Sequence, residues 1–497
     1  MRAIPTLKIS ISGVRGVVGE SLTPSLLVRF AEAFGTYVGS GTVVVGRDTR
    51  TSGEMVRQAV VAGLLSSGCR VIDLDVCPVP TVQLVVRHRR AHGGLAITAS
   101  HNPAEWNALK FVGGDGLFLD AGQARELLDI YHQGEYVKVA GADMRGVERM
   151  TNGLDLHLAA IMNAVGPLPP GSRRLKVALD SCNGAGSLLA PRLLESLGAE
   201  VVPINITPNG SFPRPAEPLP ENLGALCSAV TRHGCDVGFA QDMDADRLAV
   251  VSERGEPIGE DYTLVLATWH VLSENRPAPF SDPENRPAPF SEHSGEKGAG
   301  LFSPVEKGAG LFSGPGVVAN LSTTAALDDV AARFGARVVR TKIGEVNVTD
   351  RMKLDRAIIG GEGNGGVIYP RINFARDSHV GMALILHLLA SSGQTVSGLV
   401  AELPPRRMMK EKITCQSGRI PAALQLIRSD YAHLPQDLRD GVKVTLPDGW
   451  FHVRGSNTEP VVRVVAEAPT DDAVRRIVDE VSGKVARVLR EPASPRQ

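Results

Sequence analysis

The feature that most constrains this chain is a rhythm, repeated three times, in which short apolar runs alternate with helical periodicity. Val43-Val44-Val45 is followed by an amphipathic stretch from Ser52 to Ser67 and then by Val71-Ile72-Asp73-Leu74. β-Branched runs suit pleated strands, and the helical stripe between them suits a helix laid on the sheet. The order restarts at Leu175-Lys176-Val177-Ala178-Leu179-Asp180 and at Gly316-Val317-Val318-Ala319-Asn320, each run feeding a glycine- or serine-containing turn and then a helical stretch. This is the pattern of βαβ units, and it predicts three tandem, similar α/β domains. The last part changes character. Strand-like runs at 442–446 and 461–465 flank a turn-rich segment, and Val474, Ile477, Val478, Val481, Val485, Val488 and Leu489 form one apolar helical stripe. A smaller α+β domain should close the chain. With 497 residues, too many for one core, the expected divisions are 1–148, 149–258, 259–402 and 403–491.

One segment breaks the rhythm. Glu-Asn-Arg-Pro-Ala-Pro-Phe-Ser occurs at 274–281 and 284–291, and Glu-Lys-Gly-Ala-Gly-Leu-Phe-Ser at 296–303 and 306–313. Repeats rich in Pro, Gly and Ser bury too little apolar surface to offset chain entropy, so 274–314 is expected to be a disordered insertion in the third domain. The 53 basic and 54 acidic residues balance, which gives no electrostatic case for nucleic acid or an anionic membrane. Any anion must be held locally. Six scattered cysteines without a Cys-x-x-Cys pair indicate neither a zinc site nor a disulfide framework. No apolar run approaches the ~18 residues of a membrane span, and Met-Arg-Ala-Ile-Pro-Thr-Leu-Lys lacks a signal-peptide apolar region, so the expected location is cytoplasmic.

Four polar segments carry chemistry. In Ile97-Thr98-Ala99-Ser100-His101-Asn102-Pro103, a buried strand is broken by Asn-Pro, which places Ser100 on an exposed strand-end loop where α/β sheets keep their sites. Adjacent residues at a strand end point apart, so no Ser100–His101 pair is assured. In Gln241-Asp242-Met243-Asp244-Ala245-Asp246-Arg247, three carboxylates at alternate positions follow an apolar strand. Such hard oxygen ligands suit Mg²⁺ completed by a phosphate oxygen. An EF-hand fails, because Arg247 stands where glycine is needed and strands flank the turn. A phosphatase with Asp242 as nucleophile remains open. Arg454-Gly455-Ser456-Asn457-Thr458-Glu459-Pro460 offers a guanidinium, hydroxyls and backbone N–H groups for an anion. Gly360-Gly361-Glu362-Gly363-Asn364-Gly365-Gly366, after an expected strand at 356–359, lets backbone approach a ligand while Glu362 and Asn364 read hydroxyls.

With these segments in this order, one per domain, the chain resembles the α-D-phosphohexomutase family of phosphoglucomutases, phosphomannomutases and phosphoglucosamine mutases. The resemblance spans nearly the whole chain outside 274–314 and implies four domains around a central cleft, the fourth mobile. It implies that Ser100 is the phosphoserine and that Asp242, Asp244 and Asp246, with Ser100, hold Mg²⁺, while Arg247 lies beside the phosphoserine. Ser12-Gly13-Val14-Arg15-Gly16 is similar to an N-terminal active-site segment, making Arg15 a phosphate contact. His101 and Lys110 resemble a proton-transfer pair. Glu345, Glu362 and Asn364 resemble sugar-contacting residues, and Arg454, Ser456, Asn457 and Thr458 a phosphate anchor. The loop departs from the Glu-x-Ser-Gly-His form found in many members: Asn364 replaces serine and Gly366 replaces histidine. The Glu-x-Asn-Gly-Gly form resembles archaeal-type members and favours phosphoglucosamine mutase over the glucose and mannose enzymes.

The implied reaction moves a phosphoryl group from Ser100 to the free O1 or O6 hydroxyl of a hexose monophosphate, through a hexose 1,6-bisphosphate that turns over in the cleft. Small hexose phosphates are the expected partners of a monomer or homodimer, without nucleic acid or membrane. A sugar phosphatase and a catalytically silent sugar-phosphate binder are the competing readings.

Overall fold

The computed structural model describes residues 6–10, 13–275, 316–415, 417–456 and 461–490, which form sheets of seven, four, four and five strands. The repeated sequence lies almost wholly outside the described residues.

The first three sheets share one plan. In the first, Thr42–Arg47 is central, with Arg70–Val76 and Gly93–Ile97 parallel on either side, and Gly93–Ile97 turns back into antiparallel Trp106–Gly113. In the second, Lys176–Asp180 lies between parallel Glu200–Ile204 and Val237–Gln241, and the latter turns back into Leu248–Ser252. In the third, Gly316–Asn320 lies between parallel Arg337–Thr341 and Ile359–Glu362, which turns back into Gly366–Ile368. The first sheet adds Lys8–Ser10 and Gly13–Val17 at one edge and Val147–Arg149 at the other. The last of these pairs with Arg70–Val76, carrying the first sheet across the expected division after residue 148. The C-terminal sheet is antiparallel, ordered Arg407–Thr414, Val461–Ala468, Gly449–Gly455, Val442–Leu446 and Gln436–Asp437, and helix Asp471–Arg490 packs on it through Val474, Val478, Val481 and Val485.

Helices Asp261–Glu274 and Ser378–Ser392 are apolar around nearly their whole circumference, which a helix tolerates only when surrounded by protein. They pack on each other between the second and third sheets. Leu193 and Phe239 of the second domain therefore share one core with Leu264, Val317 and Leu384. Burial of this kind contributes roughly 25 cal/mol per Å² of apolar surface, so the second and third domains form one packed body. The cysteines are free thiols, with Cys69, Cys77, Cys182 and Cys235 buried and Cys227 and Cys415 half-buried. No helix among the described residues is long and apolar enough to cross a membrane.

Candidate active site

The hairpin turn of the second sheet carries the three carboxylates. One oxygen each from Asp242, Asp244 and Asp246 lies within 4.8 Å of the others, and all three side chains are buried. Within this turn Ala245 takes a φ of 58°, a left-handed conformation that costs a non-glycine residue about 1–3 kcal/mol. Ser378, at the start of helix Ser378–Ser392, holds it there: the hydroxyl and backbone N–H both donate to the Ala245 carbonyl, at 2.6 and 3.2 Å.

The equivalent hairpin turn of the first sheet carries Ser100. Its expected exposure is a misreading, because the carboxylate turn closes over it and leaves the residue 6% exposed. Ser100 Oγ donates to Asp242 Oδ2 at 2.8 Å. The residue is also left-handed, at φ 49°, and Thr98 Oγ1 accepts its N–H at 2.9 Å. The main support is Arg50, which the sequence reading missed. Its fully buried guanidinium donates to the carbonyls of Ser100 (2.8 Å) and Asn102 (2.7 Å), to those of Pro103 and Trp106, and to Asp48. The available signal was Asp48-Thr49-Arg50, a charged pair immediately after a central strand.

Cations surround the pair. His101 Nδ1 lies 3.5 Å from Ser100 Oγ, so the two neighbours do meet, at long range. Burial, reinforced by Arg247 and Arg15, holds the His101 pKa well below its usual value and keeps the imidazole neutral. Arg15, on Gly13–Val17, donates to Asn102 Oδ1 at 3.2 Å. The Arg247 guanidinium pairs with Glu217 at 2.9 Å, and its backbone N–H donates to Asp242 Oδ1. Lys110, on Trp106–Gly113, donates to Asp244 Oδ2 at 2.8 Å and lies 3.7 Å from Asp246. Burial pulls its pKa down, but the two carboxylates outweigh burial and raise it. Lys110 is thus an ammonium held by the aspartate cluster, a form that can donate but not accept a proton.

Burial and the neighbouring Asp244 and Asp246 push the Asp242 carboxyl well up, whereas at Asp244 burial is outweighed by Lys110 and the hydrogen bond from Asp242. Oδ1 of Asp244 and Oδ1 of Asp246 are buried without a hydrogen-bond partner, an expensive state for carboxylate oxygens. Three converging carboxylates, two of which keep an oxygen without a hydrogen bond, fit an oxygen-loving divalent cation.

The corresponding turn of the third sheet carries the glycine-rich segment. The strand expected at 356–359 is shifted: Arg356 caps the preceding helix at φ 52°, and the strand runs from Ile359 through Gly360 and Gly361 to Glu362. The two glycines are strand residues because neighbours crowd them. A Cβ on Gly361 would lie 2.1 Å from the Gly366 carbonyl oxygen, and one on Gly360 would lie 2.5 Å from Met352 Sδ. Glu362 accepts from Asn320 Nδ2 and the Gly344 N–H, each at 2.9 Å. Asn364 is half-buried, its Oδ1 accepting the Gly366 N–H at 3.3 Å. Glu345 opens helix Glu345–Asp355 and receives Arg376 Nε at 2.8 Å. Arg376, also missed from sequence, bridges Glu345, Glu362 and Asp246. In the fourth domain Arg454 ends Gly449–Gly455, with burial lowering its pKa, and the Ser456 N–H donates to the Val461 carbonyl at 2.9 Å. Ser12, Asn457 and Thr458 lie outside the described residues.

A buried serine bonded to a carboxylate cluster, with Arg15, Arg247 and Lys110 held beside the same two turns, is an arrangement that phosphoryl transfer could use. Models of phosphoglucomutase/phosphomannomutase alpha/beta/alpha domains I, II and III match residues 7–138, 157–255 and 300–407, and that of the C-terminal domain matches 408–484. A "probable phosphoglucosamine mutase" of Methanopyrus kandleri is 34% identical, covering 97% of this chain and 98% of its own length. A phosphoglucomutase/phosphomannomutase of Thermococcus kodakarensis is 36% identical over 94% and 96%. The crystal structure of a phosphoglucomutase/phosphomannomutase family protein from Burkholderia thailandensis superposes with a TM-score of 0.80 at 25% identity, covering 99% of both chains. The chain belongs to the phosphoglucomutase/phosphomannomutase family and is an enzyme of the phosphomutase class.

Proposed function

We propose that this enzyme interconverts the 1- and 6-phosphates of a hexose through phosphorylated Ser100 and a hexose 1,6-bisphosphate, with glucosamine phosphate the preferred substrate. The observation that carries the reading is the 2.8 Å bond between Ser100 Oγ and Asp242 inside a carboxylate cluster with unpartnered oxygens. Asp242, Asp244 and Asp246, with a phosphoryl oxygen on Ser100, would hold Mg²⁺, which when bound offsets the roughly −2 charge of a phosphoserine.

In the transfer, the sugar hydroxyl oxygen bonds to phosphorus as the bond from phosphorus to Ser100 Oγ breaks. Neutral His101 is the group near Ser100 able to take the hydroxyl proton, and Oγ regains a proton as the serine re-forms. Arg15, Arg247 and Lys110 are charges already in place for the transferring group, so little reorganisation accompanies the step. Once the bisphosphate has turned in the cleft, its other phosphoryl group returns to Oγ. Arg454 and Ser456 with Asn457 and Thr458 would seat the non-reacting phosphate, and Glu345, Glu362 and Asn364 the sugar. The name of the M. kandleri relative, a probable phosphoglucosamine mutase, supports glucosamine as the sugar.

Incubation with glucose 1,6-bisphosphate should add one phosphoryl group by intact mass, mapped to Ser100, and none to Ser100→Ala. A phosphoryl group on Asp242, or unimpaired turnover by Ser100→Ala, would contradict the proposal.

A further inference from the structure

Arg376 is a buried arginine at the seam of the second and third domains, and its guanidinium meets a carboxylate from each of three separate segments. Nη2 donates to Asp246 Oδ2 at 2.7 Å, Nε donates to Glu345 Oε2 at 2.8 Å, and Nη1 lies 3.3 Å from Glu362 Oε2. Of the remaining oxygens, Glu345 Oε1 accepts the backbone N–H of Arg376 itself at 3.4 Å. Asp246 Oδ1 has no hydrogen bond and lies 3.9 Å from Arg247 Nε, and Glu362 Oε1 receives Asn320 and Gly344. A planar guanidinium with donors in fixed directions is the side chain that can hold several carboxylates in one relative orientation, which a point-like ammonium cannot do.

The stem of Arg376 passes through space that a side chain at residue 366 would fill. A Cβ on Gly366 would lie 2.3 Å from Arg376 Cδ and 2.9 Å from Cγ. The stem cannot step aside cheaply, because the head group is held by three carboxylates and the backbone pairs with Ile368. Gly366 does not take a positive φ, so steric room and not backbone freedom is what the glycine supplies. The departure from Glu-x-Ser-Gly-His at this position therefore has a structural counterpart: the volume is occupied by Arg376.

We propose that Arg376, admitted by the absent side chain of Gly366, is a positioning residue that fixes Asp246 of the cation cluster and Glu362 of the sugar loop relative to each other. Cation binding and sugar binding then share one support. The inference rests on the mutase reading of the same site, and the cation arm of its test does not require turnover.

The test uses the full chain with Ser100 uniformly phosphorylated, in the variants Arg376→Ala, Arg376→Lys, Gly366→Ala and the Gly366→Ala/Arg376→Ala double. Mg²⁺ affinity is read by calorimetry, kcat and KM for glucosamine 1-phosphate by turnover, and folding by melting temperature. Loss of an outer support of a metal site typically costs 10–100-fold, so Arg376→Ala and Arg376→Lys should each weaken Mg²⁺ binding roughly 10-fold and raise KM. The sign is diagnostic, since deleting a nearby positive charge would by charge alone tighten cation binding. Gly366→Ala keeps every charge and should produce the same pair of effects, which should disappear in the Arg376→Ala background. Unchanged or tighter Mg²⁺ binding in Arg376→Ala, wild-type behaviour of Arg376→Lys, or additive effects in the double variant would overturn the proposal. If Arg376→Ala does not fold, Gly366→Ala decides alone: unchanged Mg²⁺ affinity and KM overturn it. A wild-type enzyme that converts no hexose phosphate would sink the mutase reading, while the Mg²⁺ series would still judge Arg376.

Discussion

Ser100 and Ala245 are held in left-handed conformations, and in each case a specific donor stabilises the strained carbonyl. Arg50 is the larger support. Removing its head group in Arg50→Met strands the fully buried Asp48 and frees the carbonyls of Ser100 and Asn102, so the variant should lose about 3–5 kcal/mol by urea unfolding. A loss under about 1 kcal/mol would show that the clamp is not stabilising. Ser100→Asn should fold and yet fail to turn over. The chemistry-bearing residues were legible because each set is local: serine with its Asn-Pro break, and three aspartates in five positions. Their supports were not. Arg376 and Asp246 are separated by 130 positions, and no spacing in one sequence announces such a partner. Lys110 shows the same limit, since the carboxylates that keep it charged come from another domain.

The sites of the first three domains occupy one topological position. Ser100, the aspartate cluster and the Glu362–Asn364 segment all follow a parallel strand beside the central strand and precede its antiparallel return. The loops at the carboxyl ends of parallel strands are where an open α/β sheet leaves backbone groups free for ligands. The strand and helix rhythm was readable from apolar runs, but this equivalence was not, because the three hairpins differ in length and composition. The glycine-rich turn misled for a physical reason: glycines signal a loop by propensity, whereas Gly360 and Gly361 serve close packing within a strand. Gly365 does make the turn, at φ 85°, and a Cβ there would lie 2.3 Å from the Leu248 carbonyl oxygen at the end of the aspartate turn. Gly365→Ala should therefore cost about 1–3 kcal/mol in chemical unfolding and raise KM for the sugar phosphate. Wild-type stability and KM would mean that the two turns do not rely on this contact.

At the scale of the molecule, a shared core makes one body of the second and third domains, while the fourth docks mainly through polar contacts. His452 Nδ1 meets Ser322 Oγ of the third domain at 2.8 Å, Lys410 reaches the Gly363 carbonyl of the glycine-rich turn, and Glu467 accepts the Ala325 N–H. Burial lowers the His452 pKa from 6.5 to about 4. Between these values the unfolded chain binds more protons than the folded one, so stability rises with pH across the window. The His452 contribution is complete above about 6.5 and is lost as pH falls towards about 4, with a slope of at most ~1.4 kcal/mol per pH unit. His452→Gln should flatten the unfolding free energy between those limits relative to wild type, and parallel profiles would contradict this. Four tandem units were foreseeable from length and rhythm. The shared core was not, because an all-round apolar helix announces burial without naming its partner. Whether Ser100 and the aspartate cluster interconvert hexose phosphates is tested most directly by ³¹P NMR of the enzyme with Mg²⁺ and catalytic hexose 1,6-bisphosphate. Glucosamine 1-phosphate should become the 6-phosphate faster than the glucose or mannose analogue, with no inorganic phosphate; release of inorganic phosphate, or no conversion of any of the three, would contradict the account.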